Sequence, residues 1–301
     1  MPSPHRARTA VAALWSIVAL VVVAQALFLA VSLAPAFELL PPKVSPDTAR
    51  RVVRSAGPWL LAGSGSNLAL TRALVAACTP AGAVTPTVAE SIGSTGGVRA
   101  LLDGAIDGAL VSRPLRPAEL RSGLQVLPYA RVPVVLAAHP DTPPVDWRSE
   151  DLLAAFGGQQ ARWPRGQPLV VFQREPGDSS HLAVARALPA FAQVDADNAR
   201  TRRWRTLYHD AAMLRTVTHT PDAVGLSDLA TIRLQGVAVA LLTYNGVQPG
   251  AETVRQGAWP FYKDLSLILT AEAPAELRQL AACMRGPPAQ PVLRRAEAVG
   301  L

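Results

Sequence analysis

The sequence predicts an α/β fold built on a largely parallel sheet, and three features indicate it. Apolar runs of strand length alternate with stretches whose apolar residues recur at helical spacing, which is the pattern of successive βαβ units. Three apolar runs lead into a short loop of glycine and serine and then a helical pattern, at residues 63–67, 93–97 and 177–180. The 301 residues, 50% of them hydrophobic, suffice for one large core or two smaller ones.

The first element is an N-terminal apolar segment. Basic side chains within the first eight residues precede an uncharged stretch from residue 9 to 37. About 20 apolar residues span a bilayer, and preceding positive charge holds that end in the cytoplasm. We expect an uncleaved signal anchor, a transmembrane helix, over residues 1–37. A cleaved signal peptide is the alternative, because residues 34–36 have a small-x-small pattern, although signal peptides usually have apolar regions of only about 7 to 15 residues.

A polar, proline-containing linker is expected at residues 38–56, and regular elements follow it. The first unit has a strand at residues 59–62 and a helix whose apolar face ends at Cys78. The second has a strand at residues 87–89 and a helix with apolar residues at i, i+3 and i+4 from Val98. Further strands are expected at residues 108–111, 132–136, 169–172 and 223–226.

Later helices are predicted from their termini. Ser149 has the position of an N-cap for a helix that reaches Phe156, with acidic residues in its first turn. Residues 211–218 follow a helical pattern that stops before a proline. The last helix is expected to begin near Pro274 and to end at Gly286, because two prolines follow that glycine.

The three glycine–serine loops are candidate oxyanion sites. A helix N-terminus has unpaired backbone N–H groups and a partial positive charge, glycine permits close approach, and serine adds a hydroxyl donor. A single such loop is weak support, because glycine and serine also cap helices. Three loops in one chain, with Arg174 just before the third, favour an anion clamp, since arginine offers a planar fork of donors.

Other classes of site find little support. Residues 63–68 lack the third glycine of a dinucleotide fingerprint, and the loops lack the ending of a P-loop. The five histidines lack metal-ligand spacing, so we expect no metal and no cofactor. Residues 179–181 form a faint serine–histidine block without a second motif to supply a base, so enzymatic activity is not expected. The formal charge of +7 is scattered along the chain, which argues against a nucleic-acid partner.

The order of these motifs resembles that of the phosphate-binding proteins of phosphate ABC transporters, which are two-lobed, type II periplasmic binding proteins. Residues 92–98, followed by 107–115, are similar to that family's G-S-S-G-G and D-G-A-S-D-x-P-L segments. Residues 174–180 resemble its R-x-x-G-S-G-T loop. Shorter similar segments lie at residues 220–226, 247–253 and 259–262, so the resemblance covers about residues 59–285.

The resemblance implies a ligand set by position. The ligand-binding residues expected from it are Ser66, Asn67, Ser94, Ser112, Arg174, Asp178, Ser179 and Ser180. Three positions depart from the family: its threonine in the first loop is Asn67 here, its carboxylate after the third strand is Ser112, and the serine of its third loop is Asp178. Asp178 is either an ordinary helix N-cap or the acceptor of a proton from a protonated oxyanion. The choice among phosphate, sulfate, a phosphonate and a small carboxylate therefore stays open.

The resemblance also implies the architecture. One lobe is expected at residues 57–140 plus 259–301 and the other at 141–258. They are joined by a two-segment hinge and close over a ligand in the cleft. Both ends of the soluble part then lie in the first lobe, which makes a disulfide between Cys78 and Cys283 feasible.

The expected function is that of an exported solute-binding protein tethered to the membrane. It would bind phosphate or a similar small oxyanion on the extracytoplasmic side, as a monomer, for uptake through an ABC permease. The alternative is a non-transport binding or sensor module of the same fold whose pocket has drifted.

Overall fold

The computed structural model describes residues 58–301. The expected signal anchor at residues 1–37 and the linker at 38–56 lie outside the described residues. Within the described part of the chain, no helix is long and apolar enough to cross a membrane.

Two long strands and several short ones make up the sheets of the described region. They are β1 (Leu60–Gly63), β2 (Thr87–Val88), β3 (Gly108–Val111), β4 (Gln125–Ala138), β5 (Asp146–Trp147), β6 (Val170–Arg174), β7 (Arg205–Leu207), β8 (Ala223–Asp228), β9 (Ala240–Leu241), β10 (Thr243–Tyr244), β11 (Tyr262–Leu269) and β12 (Val299–Gly300).

Helices follow most of these strands, as the alternating pattern predicts. They are α1 (Gly65–Cys78), α2 (Gly93–Leu102), α3 (Pro117–Leu120), α4 (Ser149–Gly157), α5 (Ser179–Ala187), α6 (Pro189–Thr201), α7 (Asp210–His219), α8 (Leu229–Gln235), α9 (Ala251–Arg255), α10 (Ala275–Cys283) and α11 (Gln290–Arg295).

The strand order, β2-β1-β3-β11-β4-β8-β6-β7, divides into two halves that share β4. The first part of β4, Gln125–Pro133, pairs with β11, and the second part, Val134–Ala138, pairs with β8. In the first half β1 is parallel to β2 and β3, and in the second half β6 is parallel to β7 and β8. The result is two α/β lobes connected through long central strands, which confirms the two-lobe fold.

Each half of the sheet has its own apolar core. In the first half, leucines of α1, β11 and α10 pack together with Met284. In the second, large aromatic side chains, Trp147, Phe156, Phe191 and Trp259, pack with the strands beneath them. Each such side chain contributes about 1.5 to 3 kcal/mol when fully buried, so both clusters stabilise the fold.

The disulfide implied by the family resemblance is present. Cys78 at the end of α1 is bonded to Cys283 at the end of α10, with 5.8 Å between their Cα atoms and a sequence separation of 205. The bridge therefore joins the early and late parts of the first lobe.

Two helix boundaries differ from the sequence predictions. Ser149 is the first residue of α4 and not its N-cap, because Arg148 holds the cap position and its N–H donates to Asp151 at 2.8 Å. The Ser149 hydroxyl instead bonds the Tyr244 hydroxyl at 2.6 Å. The helix from Pro274 is also not the last. A 3₁₀ turn at Pro287–Ala289 and α11 follow it, because proline is tolerated in the first turn of a helix.

Candidate functional site

The three glycine–serine loops begin helices at the carboxyl ends of parallel strands. The first follows β1, the second follows β2 and the third follows β6. Loops at the carboxyl edge of α/β sheets are the usual place for ligand sites. Gly63 has a positive φ of 154°, and a Cβ there would overlap the Leu110 carbonyl, so glycine is what lets β1 end so close to β3.

A cavity of about 390 Å³ lies between these loops. Both lobes contribute to its walls. The first lobe supplies Ser64, Ser91, Ser94, Thr95 and Arg113, and the second supplies Arg174, Glu175, Asp178, Ser179, Tyr208, His209 and Asp210.

Three hydroxyl groups form a cluster on the first-lobe side, called here the serine cluster: Ser64, Ser94 and Ser112. The Ser64 and Ser112 Oγ atoms are 2.6 Å apart, and the Ser112 N–H donates to Ser94 Oγ at 3.3 Å. Ser94 is the second residue of α2, so the cluster lies beside that helix N-terminus. Hydroxyls can donate or accept by rotation, which gives this wall neutral donors for an anion.

Arg174 lies across the cavity and is surrounded by carboxylates. Its Nε is 2.9 Å from Glu175 Oε2, and its Nη1 is 3.0 Å from Asp210 Oδ1. Its Nη2 is 3.5 Å from Asp178 Oδ2, and its side chain is only 4% exposed. Burial alone would lower the pKa of Arg174, but the surrounding carboxylates outweigh it and raise the pKa above its ordinary value. With one guanidinium beside three carboxyl groups, this wall has more acidic than basic side chains.

Asp178 caps the third helix. Its Oδ1 accepts from the backbone N–H groups of Ser180 at 2.9 Å and His181 at 3.2 Å, which confirms the N-cap interpretation. Burial works to raise the pKa of Asp178, but the charges of Arg174 and Lys263 outweigh it and hold the pKa below its ordinary value. The first amides of α5 therefore already have an anionic partner within the chain.

Sequence reasoning missed Lys263, which lies at the floor of the site. It is 1% exposed, and its Nζ donates to Ser66 Oγ at 2.6 Å and to Ser180 Oγ at 2.8 Å, with Ser179 Oγ at 3.4 Å. Its ammonium thus connects the first turns of α1 and α5. A lysine inside an apolar strand, in a chain with only one other lysine, Lys43, was the available signal.

Asp210, the first residue of α7, was also missed. It accepts from Ser66 Oγ at 3.1 Å in addition to its contact with Arg174. It lies directly against Gly65, where a Cβ would collide with its carboxylate. Asp210 therefore connects the second lobe to the start of α1.

The structure brings together part of the ligand set expected from the resemblance. Ser94, Arg174, Asp178 and Ser179 line the cavity. Ser112 lies behind Ser64 and Ser94 in the serine cluster. Ser66 and Ser180 do not line the cavity, because they accept from Lys263. Asn67 is fully buried and donates to the Tyr129 hydroxyl at 2.8 Å, so its amide belongs to the core beneath α1.

The remaining cation of the cavity wall, Arg113, is also paired. It forms two hydrogen bonds of 2.8 Å with Glu119, and the Arg113 hydrogen bond lowers the pKa of that carboxyl. Both cations that line the cavity, Arg113 and Arg174, thus have carboxylate partners. Among residues 58–301 no group of three metal-ligating side chains is placed to hold a metal ion.

Two α/β lobes around a polar cleft, with helix N-termini on both walls, define the class of two-lobed ligand-binding proteins. The family model described as a PBP superfamily domain matches residues 52–282, and the chain belongs to that superfamily. No curated protein sequence matches the chain.

Solved structures show the same fold at low sequence identity. A Clostridium perfringens protein with bound phosphate, assigned as a phosphate ABC transporter substrate-binding protein, is 18% identical. Its TM-score is 0.72, and the match covers 81% of this chain and 100% of that one. A Stenotrophomonas maltophilia phosphate-binding protein is 14% identical with a TM-score of 0.67, covering 82% and 91%. A Corynebacterium glutamicum OxyR mutant is 14% identical with a TM-score of 0.55, covering 83% and 72%.

Proposed function

We propose that this chain is an exported solute-binding protein that holds phosphate or a similar oxyanion in its interlobe cleft for ABC-type uptake. The serine cluster beside the α2 N-terminus is the observation that carries the proposal. Neutral hydroxyls and helix amides there converge on a cavity closed on its far side by Arg174. The likeness to the C. perfringens protein with bound phosphate supports the same class of ligand.

The finer features belong to the same proposal. Residues 1–37 would tether the chain to the cytoplasmic membrane, with the remainder on the extracytoplasmic side, as a monomer that delivers its ligand to an ABC permease. The lobes would comprise residues 57–140 plus 259–301 and residues 141–258. The Cys78–Cys283 disulfide supports an oxidising compartment, since such bonds are rare in reducing cytosol.

The anion would lie between the serine cluster and the second-lobe wall. Asp178 supports a protonated ligand, because its depressed pKa keeps it ionised as a hydrogen-bond acceptor. An oxyanion that retains a proton can donate to such a carboxylate, whereas sulfate near neutral pH has no proton to donate. Closure of the lobes would exclude water and strengthen these contacts.

Titration calorimetry on the purified full-length chain in mild detergent tests the proposal, with phosphate and then sulfate near neutral pH. Tight phosphate binding, weakened in Ser94→Ala and unchanged in Ser122→Ala, is the expected result. Ser122 is an exposed serine whose hydroxyl forms its hydrogen bond within its own turn. Equal binding of sulfate would mean that the site does not distinguish anions by the proton they carry. No binding of either anion would refute the transport function.

A non-transport binding or sensor module is the second candidate. The contacts of Lys263 with Ser66 and Ser180 favour it, because they occupy hydroxyls that an anion clamp would use. The C. glutamicum OxyR mutant, which has hydrogen peroxide bound, shares the fold, so the fold alone does not select an oxyanion ligand. Absence of any heat or thermal stabilisation with phosphate and sulfate would favour this candidate.

A further inference from the structure

The cavity is larger than a bare tetrahedral oxyanion requires. One water takes about 30 Å³ of liquid volume, and cavities of roughly 300 to 1,000 Å³ hold drug-sized organic ligands. At about 390 Å³ this cavity falls within that range, whereas phosphate has five heavy atoms. The floor is closed by Asp210 against Gly65 and Ser66, so the volume lies above direct interlobe contacts.

The floor also restricts where the anionic group can lie. Lys263 fills the space between the first turns of α1 and α5, and Asp178 caps α5. Hydroxyls that a ligand can reach therefore lie on the first-lobe wall, where Ser64 and Ser94 of the serine cluster line the cavity. The opposite wall has Arg174 surrounded by three carboxyl groups, and this excess of acidic side chains disfavours a second anionic group.

Apolar side chains lie at the edge of this same cavity, one from each lobe. Ile92 is 49% exposed and precedes α2, and Tyr208 is 65% exposed and precedes α7. Both line the cavity, and both are among the few large hydrophobic side chains exposed in the described region. An uncharged organic group extending from the serine cluster would lie between them and remove their surface from water.

We propose that the cleft selects an oxyanion with an apolar organic substituent, of the phosphate monoester or phosphonate class. The oxyanion binds the serine cluster and the α2 N-terminus, and the substituent packs between Ile92 and Tyr208. This inference rests on the proposed function, since it names the substrate class of the same site. Tyr208 is then a specificity-determining residue.

Calorimetry with inorganic phosphate, methylphosphonate and phenylphosphonate on the full-length chain tests this inference. Burial of about 60 Å² of additional apolar surface corresponds to roughly tenfold in affinity, so phenylphosphonate should bind about tenfold more tightly than methylphosphonate. Tyr208→Ser should weaken phenylphosphonate binding several-fold more than methylphosphonate binding, which removes most of that difference.

Leu182→Ser is the matched control, because Leu182 is 44% exposed and does not line the cavity. Leu182→Ser should change the affinity for neither phenylphosphonate nor methylphosphonate. Thermal unfolding should show that both variants are folded. The inference is overturned if phenylphosphonate binds no more tightly than methylphosphonate. It is also overturned if Tyr208→Ser lowers the affinity for both ligands equally. Tight phosphate binding without phenylphosphonate binding would refute the inference alone. If none of the three ligands binds, the proposed function is refuted as well.

Discussion

At the scale of single residues, Arg174 combines a structural and a binding role. Its guanidinium is the counter-charge for Glu175, Asp178 and Asp210, and it also forms part of the cavity wall. Loss of one partner from a buried ion-paired group is costly because charges remain without compensation. Effects of Arg174 variants on binding must therefore be measured beside their effects on folding.

Arg174→Ala should lower the free energy of unfolding by roughly 3 to 5 kcal/mol, because buried carboxylates lose their counter-charge. Urea unfolding measures it. Arg174→Ala combined with Asp210→Asn should recover part of the loss, since one of those carboxylates is then neutral. On the folded fraction, Arg174→Ala should weaken phosphate binding by roughly one to two decades. Parent-like stability and affinity would contradict both roles.

Asp178 predicts a pH dependence of stability. Its pKa is lower in the folded state than in the unfolded chain, so its ionised form stabilises the protein. That contribution is present above the unfolded pKa of about 3.9 and is lost as the pH falls through the folded pKa.

Asp178→Asn preserves an N-cap acceptor but removes the charge near Arg174 and Lys263. Urea unfolding should show the parent chain more stable than Asp178→Asn at pH 7, with the difference shrinking below about pH 4. A difference that stays constant from pH 7 to pH 3 would mean that the charge of Asp178 adds nothing to stability.

At the scale of elements, the site depends on how helix termini meet. Lys263 places a cation at the first turns of α1 and α5, where the helix dipoles disfavour positive charge. The nearby carboxyl groups of Asp178 and Asp228 offset this unfavourable effect of the helix dipoles. Burial raises the pKa of Asp228 above its ordinary value, and the charge of Lys263 opposes that rise. Lys263 of β11 thus connects the two lobes through charge-assisted hydrogen bonds to Ser66 and Ser180.

Lys263→Met should lower the free energy of unfolding by roughly 1.5 to 3 kcal/mol, because it removes charge-assisted hydrogen bonds and leaves buried hydroxyls without a donor. Thermal and urea unfolding measure the effect. Arg278→Met is the matched control, since Arg278 is an exposed cation on α10. Equal stability of the two variants would show that the lysine contributes no net stabilisation.

Gly63 decides how closely β1 approaches β3 at the first loop. Gly63→Ala should destabilise the chain by roughly 1 to 3 kcal/mol more than Gly82→Ala, because both glycines have positive φ but only the first would collide with backbone. A Cβ at Gly82 meets nothing within 4 Å. A comparable loss of stability in the two variants would mean that the destabilisation comes from backbone conformation alone.

At the scale of the whole molecule, the disulfide closes a loop across most of the described chain. Replacing both cysteines, Cys78→Ser with Cys283→Ser, should reduce the free energy of unfolding by about 3 to 5 kcal/mol, since the unfolded chain loses a constraint across 205 residues. Urea unfolding with and without reductant measures this. Reductant should destabilise the parent and leave the double variant unchanged, and a parent chain insensitive to reductant under denaturing conditions would contradict the prediction.

Much of the architecture could be predicted from local patterns. The strands at β1, β3 and β8 and the helices α1 and α7 follow from apolar spacing and from glycine or proline at their ends. The helix α11 was missed because Pro287 and Pro288 were interpreted as a stop, whereas prolines fit the turns that precede a new helix. Leu102, placed on the apolar side of α2, is 47% exposed and is the last residue of that helix.

The sequence by itself determined the α/β order, the three loops at strand ends and the residue types that can bind an oxyanion. Those properties are local, because they depend on neighbours within a few positions. Only the tertiary structure decided which hydroxyls remain available to a ligand. Lys263 reaches Ser66 across 197 residues and Ser180 across 83, and Asp210 reaches Ser66 across 144. No local pattern encodes such contacts, because they join helix N-termini that lie far apart in the sequence and meet only where the two lobes face each other.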